Sequence, residues 1–249
     1  MLLLCAGSLS AGTITITPEP LSGTEGFTLS GQIATFTDSA LPSTADLTGS
    51  IDWGDGTSSV GGITGSAGSY DLTGSHIYTE QGAYTVSIGI DDTGDDTGGG
   101  SLTTASIADA PLSQGPTVNG SGIAGVAIDG LVGIFSDANP FAPTSDFTVT
   151  INWGDGAPAT FGTISQPEGV GTLFDISGSH TYAVAGLYDT TVLVDDKGGS
   201  TTSEFGSENI TSAPEPGTFL FCGAGVLFGF AGLRFRHPGE CSARKTQSR

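Results

Sequence analysis

Four carboxylates fall within six residues at Asp91-Asp92-Thr93-Gly94-Asp95-Asp96. Their mutual repulsion would be relieved by a hard cation, and calcium is the metal these residue types predict. The run has neither the spacing nor the distal glutamate of an EF-hand loop, and the plainer reading is a solvated turn. A later run, Asp195-Asp196-Lys197-Gly198, has lost two of the acids and gained a cation. Histidine offers a second kind of chemistry at His76, His180 and His237. His76 and His180 occur in equivalent sequence contexts, which predicts two structural residues at strand ends rather than a general base. There is no Gly-x-Ser-x-Gly elbow and no His-Glu-x-x-His, and carboxylates alone do not specify a glycosidase pair. The sequence therefore predicts no catalytic residue and no enzyme. Calcium is the one cofactor it suggests.

The elements that must position these residues come in two copies. Ile51-Asp52-Trp53-Gly54-Asp55-Gly56 returns as Ile151-Asn152-Trp153-Gly154-Asp155-Gly156, and Trp53 and Trp153 are the only tryptophans. The flanks align at the same period: His76-Ile77-Tyr78 with His180-Thr181-Tyr182, and Gly82-Ala83-Tyr84 with Gly186-Leu187-Tyr188. A repeat of this length predicts two copies of one module. Each copy reads as short β-branched or alternating runs separated by Gly, Ser, Asp and Pro, with turn signals about every 8 to 12 residues. The predicted fold class is all-β, two tandem sandwiches followed by one short C-terminal hydrophobic helix. In each motif the tryptophan should bury its ring between sheets while Gly-Asp-Gly turns the chain.

The charge distribution narrows the partners. Up to Leu233 the chain carries 25 of its 26 acidic residues and a single lysine, Lys197, a body charge near −24. Such a surface repels phosphate backbones, which makes nucleic acid and anionic membrane surfaces poor partners and cations better ones. It also keeps a repetitive β protein soluble. Cys5, Cys222 and Cys241 all lie outside the repeats, so the modules must cohere without disulfides.

The expected boundaries are a signal-peptide remnant over 1–12, sandwich one over 13–110, a linker over 111–116 and sandwich two over 117–212. A sorting or transmembrane segment over 214–236 and a basic tail over 237–249 follow. Residues 218–233 hold no charge, about 24 Å of helix against a hydrocarbon core of about 30 Å.

Two resemblances follow from these motifs. Asp52-Trp53-Gly54-Asp55-Gly56, His76-Ile77-Tyr78, Gly82-Ala83-Tyr84-Thr85-Val86 and Asp91-Asp92 together resemble PKD-type immunoglobulin-like domains, and the second copy does so with Asn152 for the first acid. That likeness implies seven-stranded extracellular sandwiches that act as spacers, adhesive units or carbohydrate-associated modules, with no chemistry of their own. The tail resembles the PEP-CTERM sorting signal of Gram-negative bacteria: Pro214-Glu215-Pro216, an apolar stretch, then Arg234 and Arg236. It implies processing by a membrane protease of the exosortase type, transient or lasting membrane insertion, and export to the cell surface or matrix beside exopolysaccharide. The expectation is an exported adhesive or structural protein. The alternative is an accessory carbohydrate-binding module of a polysaccharide-active system.

Overall fold

The computed structural model describes residues 12–95 and 97–214. Alternation of buried and exposed residues builds its strands, since successive side chains of a strand point to opposite faces. In β4 (Leu47–Asp52), Leu47, Gly49 and Ile51 point inward and their neighbours outward. The first half continues this pattern through β1 (Ile14–Pro18), β2 (Leu21–Thr24), β3 (Thr28–Asp38), β5 (Ser58–Ser66), β6 (Ser69–Ile77), β7 (Gly82–Asp92) and β8 (Thr97–Ala108). One layer contains β1, β3 and β6, and the other contains β4, β7, β8 and β2. β5 belongs to both: Ser58 to Gly61 pair with β4, and Gly62 to Ser66 pair with β6. The layers enclose a core that includes Ile33, Phe36, Ile51, Trp53, Leu72, Tyr78, Val86, Ile88 and Ile90.

The second half repeats the plan with β9 (Leu112–Gln114), β10 (Asn119–Ile123), β11 (Ala127–Asp137), β12 (Phe147–Asn152), β13 (Thr160–Phe161), β14 (Thr163–Ser165), β15 (Phe174–Thr181), β16 (Gly186–Asp196) and β17 (Thr201–Thr211). A 3-10 turn spans Thr144–Asp146. Here the sheet-switching strand is broken at Gly162 into β13, on β12, and β14, on β15. The second core gathers Phe135, Phe147, Val149, Ile151, Trp153, Phe174, Ile176, Tyr182, Val192 and Val194. In each half the second strand runs parallel to the last, β2 on β8 and β10 on β17, while the other pairings are antiparallel. Two immunoglobulin-like sandwiches result, and the described residues contain no α-helix.

One sequence expectation changes. Residues 111–116 contain a strand, because β9 pairs with the C-terminal end of β11 and opens the second sandwich. Leu21-Ser22-Gly23-Thr24 is too short and polar to signal a strand by itself, and its parallel pairing with β8 makes it one. The glycine-rich stretch 97–101 is strand too: a Cβ on Gly99 would lie 2.9 Å from Ile14 Cγ2, so glycine lets β1 pack against β8. The signal-peptide remnant, apart from Gly12, lies outside the described residues. So does the apolar C-terminal segment.

Candidate functional site

Each repeat motif begins where β4 or β12 ends. Gly54 N–H donates to Asp52 Oδ1 at 3.0 Å, and Gly154 N–H donates to Asn152 Oδ1 at the same distance. That bond uses only an acceptor oxygen, which asparagine supplies as aspartate does. Gly54 sits at φ +79° and Gly154 at φ +78°, where an added Cβ would lie 2.4 Å from Thr85 O and 2.3 Å from Asp189 O of the neighbouring strand. Asp55 Oδ1 then accepts from Thr57 N–H at 3.0 Å and Thr57 Oγ1 at 2.6 Å, while Asp155 Oδ1 accepts from Ala157 N–H at 3.0 Å.

The other carboxylate oxygen reaches histidine. His76 Nε2 lies 2.7 Å from Asp55 Oδ2, and His180 Nε2 lies 2.8 Å from Asp155 Oδ2. Each imidazole stacks on its tryptophan, with centroids 4.8 Å apart at 11° in one module and 4.9 Å at 10° in the other. Each also meets the edge of a tyrosine, Tyr78 or Tyr182, at 4.6 Å. Tyr78 OH donates to Trp53 O at 3.0 Å and Tyr182 OH to Trp153 O at 2.9 Å, closing the circuit. The indole N–H groups donate to Ser59 Oγ and Thr160 Oγ1. Trp53, Trp153, Tyr78 and Tyr182 are all buried.

Electrostatics follow this geometry. Burial pushes the Asp55 carboxyl up, but hydrogen bonds from Thr57 and His76 outweigh it and hold the group below the ordinary carboxylate range. The His180 hydrogen bond leads the same effect at Asp155. Burial, aided by the nearby Asp55 charge, pushes the Tyr78 phenol up to about 12. Tyr182 is raised by burial and by the Glu208 and Asp155 charges. What this arrangement does chemically is fasten a turn to a core. The imidazole's acid partner and ring faces are committed to that task.

The structure separates the predicted calcium residues. Asp91 and Asp92 are consecutive in β7 and point to opposite faces, Asp91 exposed and Asp92 buried. Asp92 Oδ1 accepts from Gly94 N–H at 2.7 Å, and Asp95 Oδ1 accepts from Thr97 Oγ1 at 2.6 Å. Asp96 lies outside the described residues. The inward-facing acids meet others from distant sequence: Asp46, Asp92 and Asp95 line one small depression. Buried Asp38 bonds Ala40 N–H at the same end of the module. Among the described residues, no group of three or more His, Cys, Asp or Glu side chains is arranged to hold a metal ion. Pro214 is exposed, whereas Glu215, Pro216, Arg234 and Arg236 lie outside the described residues.

Sequence reasoning missed the buried acids Glu25, Glu204 and Glu208. For β17 the signal was present. Strand parity places Glu204 and Glu208 on the inward face with Ile210.

No protein-family model matches the chain, and no curated protein matches it. Among solved structures, it is similar to the titin domains z1z2 in complex with telethonin, at 15% identity and TM-score 0.37, over 82% of this chain and 98% of that one. The fibronectin(III)-like modules of Clostridium thermocellum CbhA match at 14% identity and TM-score 0.29, over 81% and 95% of the two chains. An endo-fucoidan hydrolase of glycoside hydrolase family 107 matches at 15% identity and TM-score 0.34, and this chain covers 29% of its length. Likenesses this distant say nothing about activity.

Proposed function

We propose that this chain is an exported, non-enzymatic surface or matrix protein, in which two PKD-like sandwiches serve as an adhesive or structural array. The observation that supports this reading most directly is the duplication of the Trp-His-Asp-Tyr circuit. Both copies hold the same distances to about 0.1 Å, and both commit their histidine and aspartate to packing. The acidic body suits a hydrated matrix and disfavours anionic partners. In this reading the C-terminal segment carries the sorting signal: Pro214-Glu215-Pro216 is the sequence that an exosortase-type protease reads, and Arg234 and Arg236 are its cytoplasmic-side charges.

The test is mass spectrometry of the mature protein recovered from the surface of the producing cell, together with co-sedimentation with that cell's exopolysaccharide. The expected product lacks residues 218–236 and sediments with the polysaccharide. A mature protein that retains residues 218–236 overturns the sorting part. Turnover of a glycan by the purified protein, abolished in His76→Ala or His180→Ala, overturns the non-enzymatic part and favours a polysaccharide-active system.

A further inference from the structure

The two sandwiches differ at one buried spot. In the first, parallel pairing sets Leu21 beside Ala105, both buried in the core. In the second, the same register sets Gly120 beside Glu208. The equivalence is independently fixed by β7 and β16, where Tyr84 faces Ala105 and Tyr188 faces Glu208. The fold therefore packs this position with leucine and alanine, and nothing in its architecture requires a carboxylate.

Glu208 is 4% exposed, and its Oε2 has no hydrogen-bond partner among the described residues. A Cβ on Gly120 would lie 2.2 Å from that oxygen, so the carboxylate occupies ground that only glycine leaves open. Beside it is a half-open cavity of about 100 Å³, lined by Gly120, Ile128, Gly130, Val132, Gly178 and Glu208, with exposed Asp129 also on its wall. Gly130 and Gly178 face each other across β11 and β15, and a Cβ on Gly178 would touch the Trp153 ring at about 3.1 Å. The recess therefore borders the second tryptophan.

An unpaired buried carboxylate is costly unless a cation or a proton joins it. One buried acid and one exposed acid fall short of the six to eight oxygens calcium takes. An ammonium group needs fewer acceptors, and the apolar walls from Ile128, Leu131 and Val132 suit the methylene stem that carries it. Among the described residues the one lysine, Lys197, is engaged elsewhere, 3.9 Å from Asp146.

We propose that the recess at Glu208 in the second sandwich is a binding site for an alkylammonium group, a free primary amine or a lysine side chain of a partner, and that the first sandwich has no counterpart. The site goes beyond the surface role above and does not depend on it.

The experiment uses the full chain, 15N-labelled, with its two indole N–H resonances assigned through Trp53→Phe. Titration with n-butylammonium chloride should shift the Trp153 resonance saturably and leave that of Trp53 in place. Sodium chloride at matched ionic strength should do neither. Glu208→Gln should weaken the response about tenfold to a hundredfold, the loss of one charge-assisted contact. The double variant Gly120→Leu with Glu208→Ala rebuilds the packing of the first sandwich, so it should fold and show no response. An acetyl-Gly-Lys-Gly-amide titration that reproduces the shift assigns the site to protein lysines. A response confined to the free amine assigns it to small amines. Equal shifts at both tryptophans, a response matched by sodium chloride or retained in Glu208→Gln, or no saturable shift at all overturns the proposal.

Discussion

Asp55 bonds its own loop through one carboxylate oxygen and reaches the core through the other, where His76 carries the contact on to Trp53. Because Trp53 and Trp153 fill the space between the sheets, Trp53→Ala and Trp153→Ala should each cost about 3 to 5 kcal/mol in denaturant unfolding. The carboxylates of Asp55 and Asp155 lie below their ordinary value of 3.8 in the fold. Their contribution to stability is therefore present above that value and is lost as pH falls through the folded value. Asp55→Asn should therefore lower stability most above about pH 4 and shrink the acid limb below it, where the two proteins converge. Stability curves measured by urea unfolding at several pH values read this directly.

At the scale of elements, the two glycines of the Trp-Gly-Asp-Gly turn have unequal tasks. Gly54 combines φ +79° with a backbone approach that would set a Cβ 2.4 Å from Thr85 O. Gly56 has φ +90° and open space around it. Gly56→Ala should thus cost only the left-handed strain of about 1 to 2 kcal/mol. Gly54→Ala adds a backbone clash that no side-chain rotation relieves, and its melting temperature should fall at least twice as far. Calorimetry of the two variants decides. Equal losses would mean that the turn slides away from β7 rather than locking against it.

Across the whole molecule, buried acids set an unusual pH response. Burial raises Glu25 and Glu204 to about 7 and Asp137 to about 6, and lifts Glu208 as well. Glu25 sits where the sandwiches join, its Oε1 accepting from Ala110 N–H at 3.2 Å. Beside it Ser200 Oγ donates to Ala110 O, and Asn139 Nδ2 donates to Thr79 O across the junction. A group with a raised folded value stabilises fully below its unfolded value and loses that contribution as pH rises through the folded one. The full chain should therefore melt higher at about pH 5 than at about pH 7.5, until the loss at Asp55 and Asp155 takes over in stronger acid. Glu204→Gln should raise the melting temperature at the higher pH and flatten this slope. An unchanged slope would place the sensitivity at Glu25, Asp137 and Glu208 instead.

The sequence by itself determined the period of the repeat, the all-β class and the inward parity of residues such as Ile51, Val86 and Ile88. These are local properties, since alternation along a strand encodes which face is buried whatever the strand pairs with. Parity also marked Glu208 as inward, and it separates Asp91 from Asp92, although a tally of acids in one loop hides that. Tertiary structure alone decided which strand lies beside which: β9 within the expected linker, β5 crossing between sheets, and Gly120 rather than a leucine opposite Glu208. Each of these depends on pairings between residues tens of positions apart, where the energy lies in packing across the sandwich and leaves no periodic trace in either segment alone.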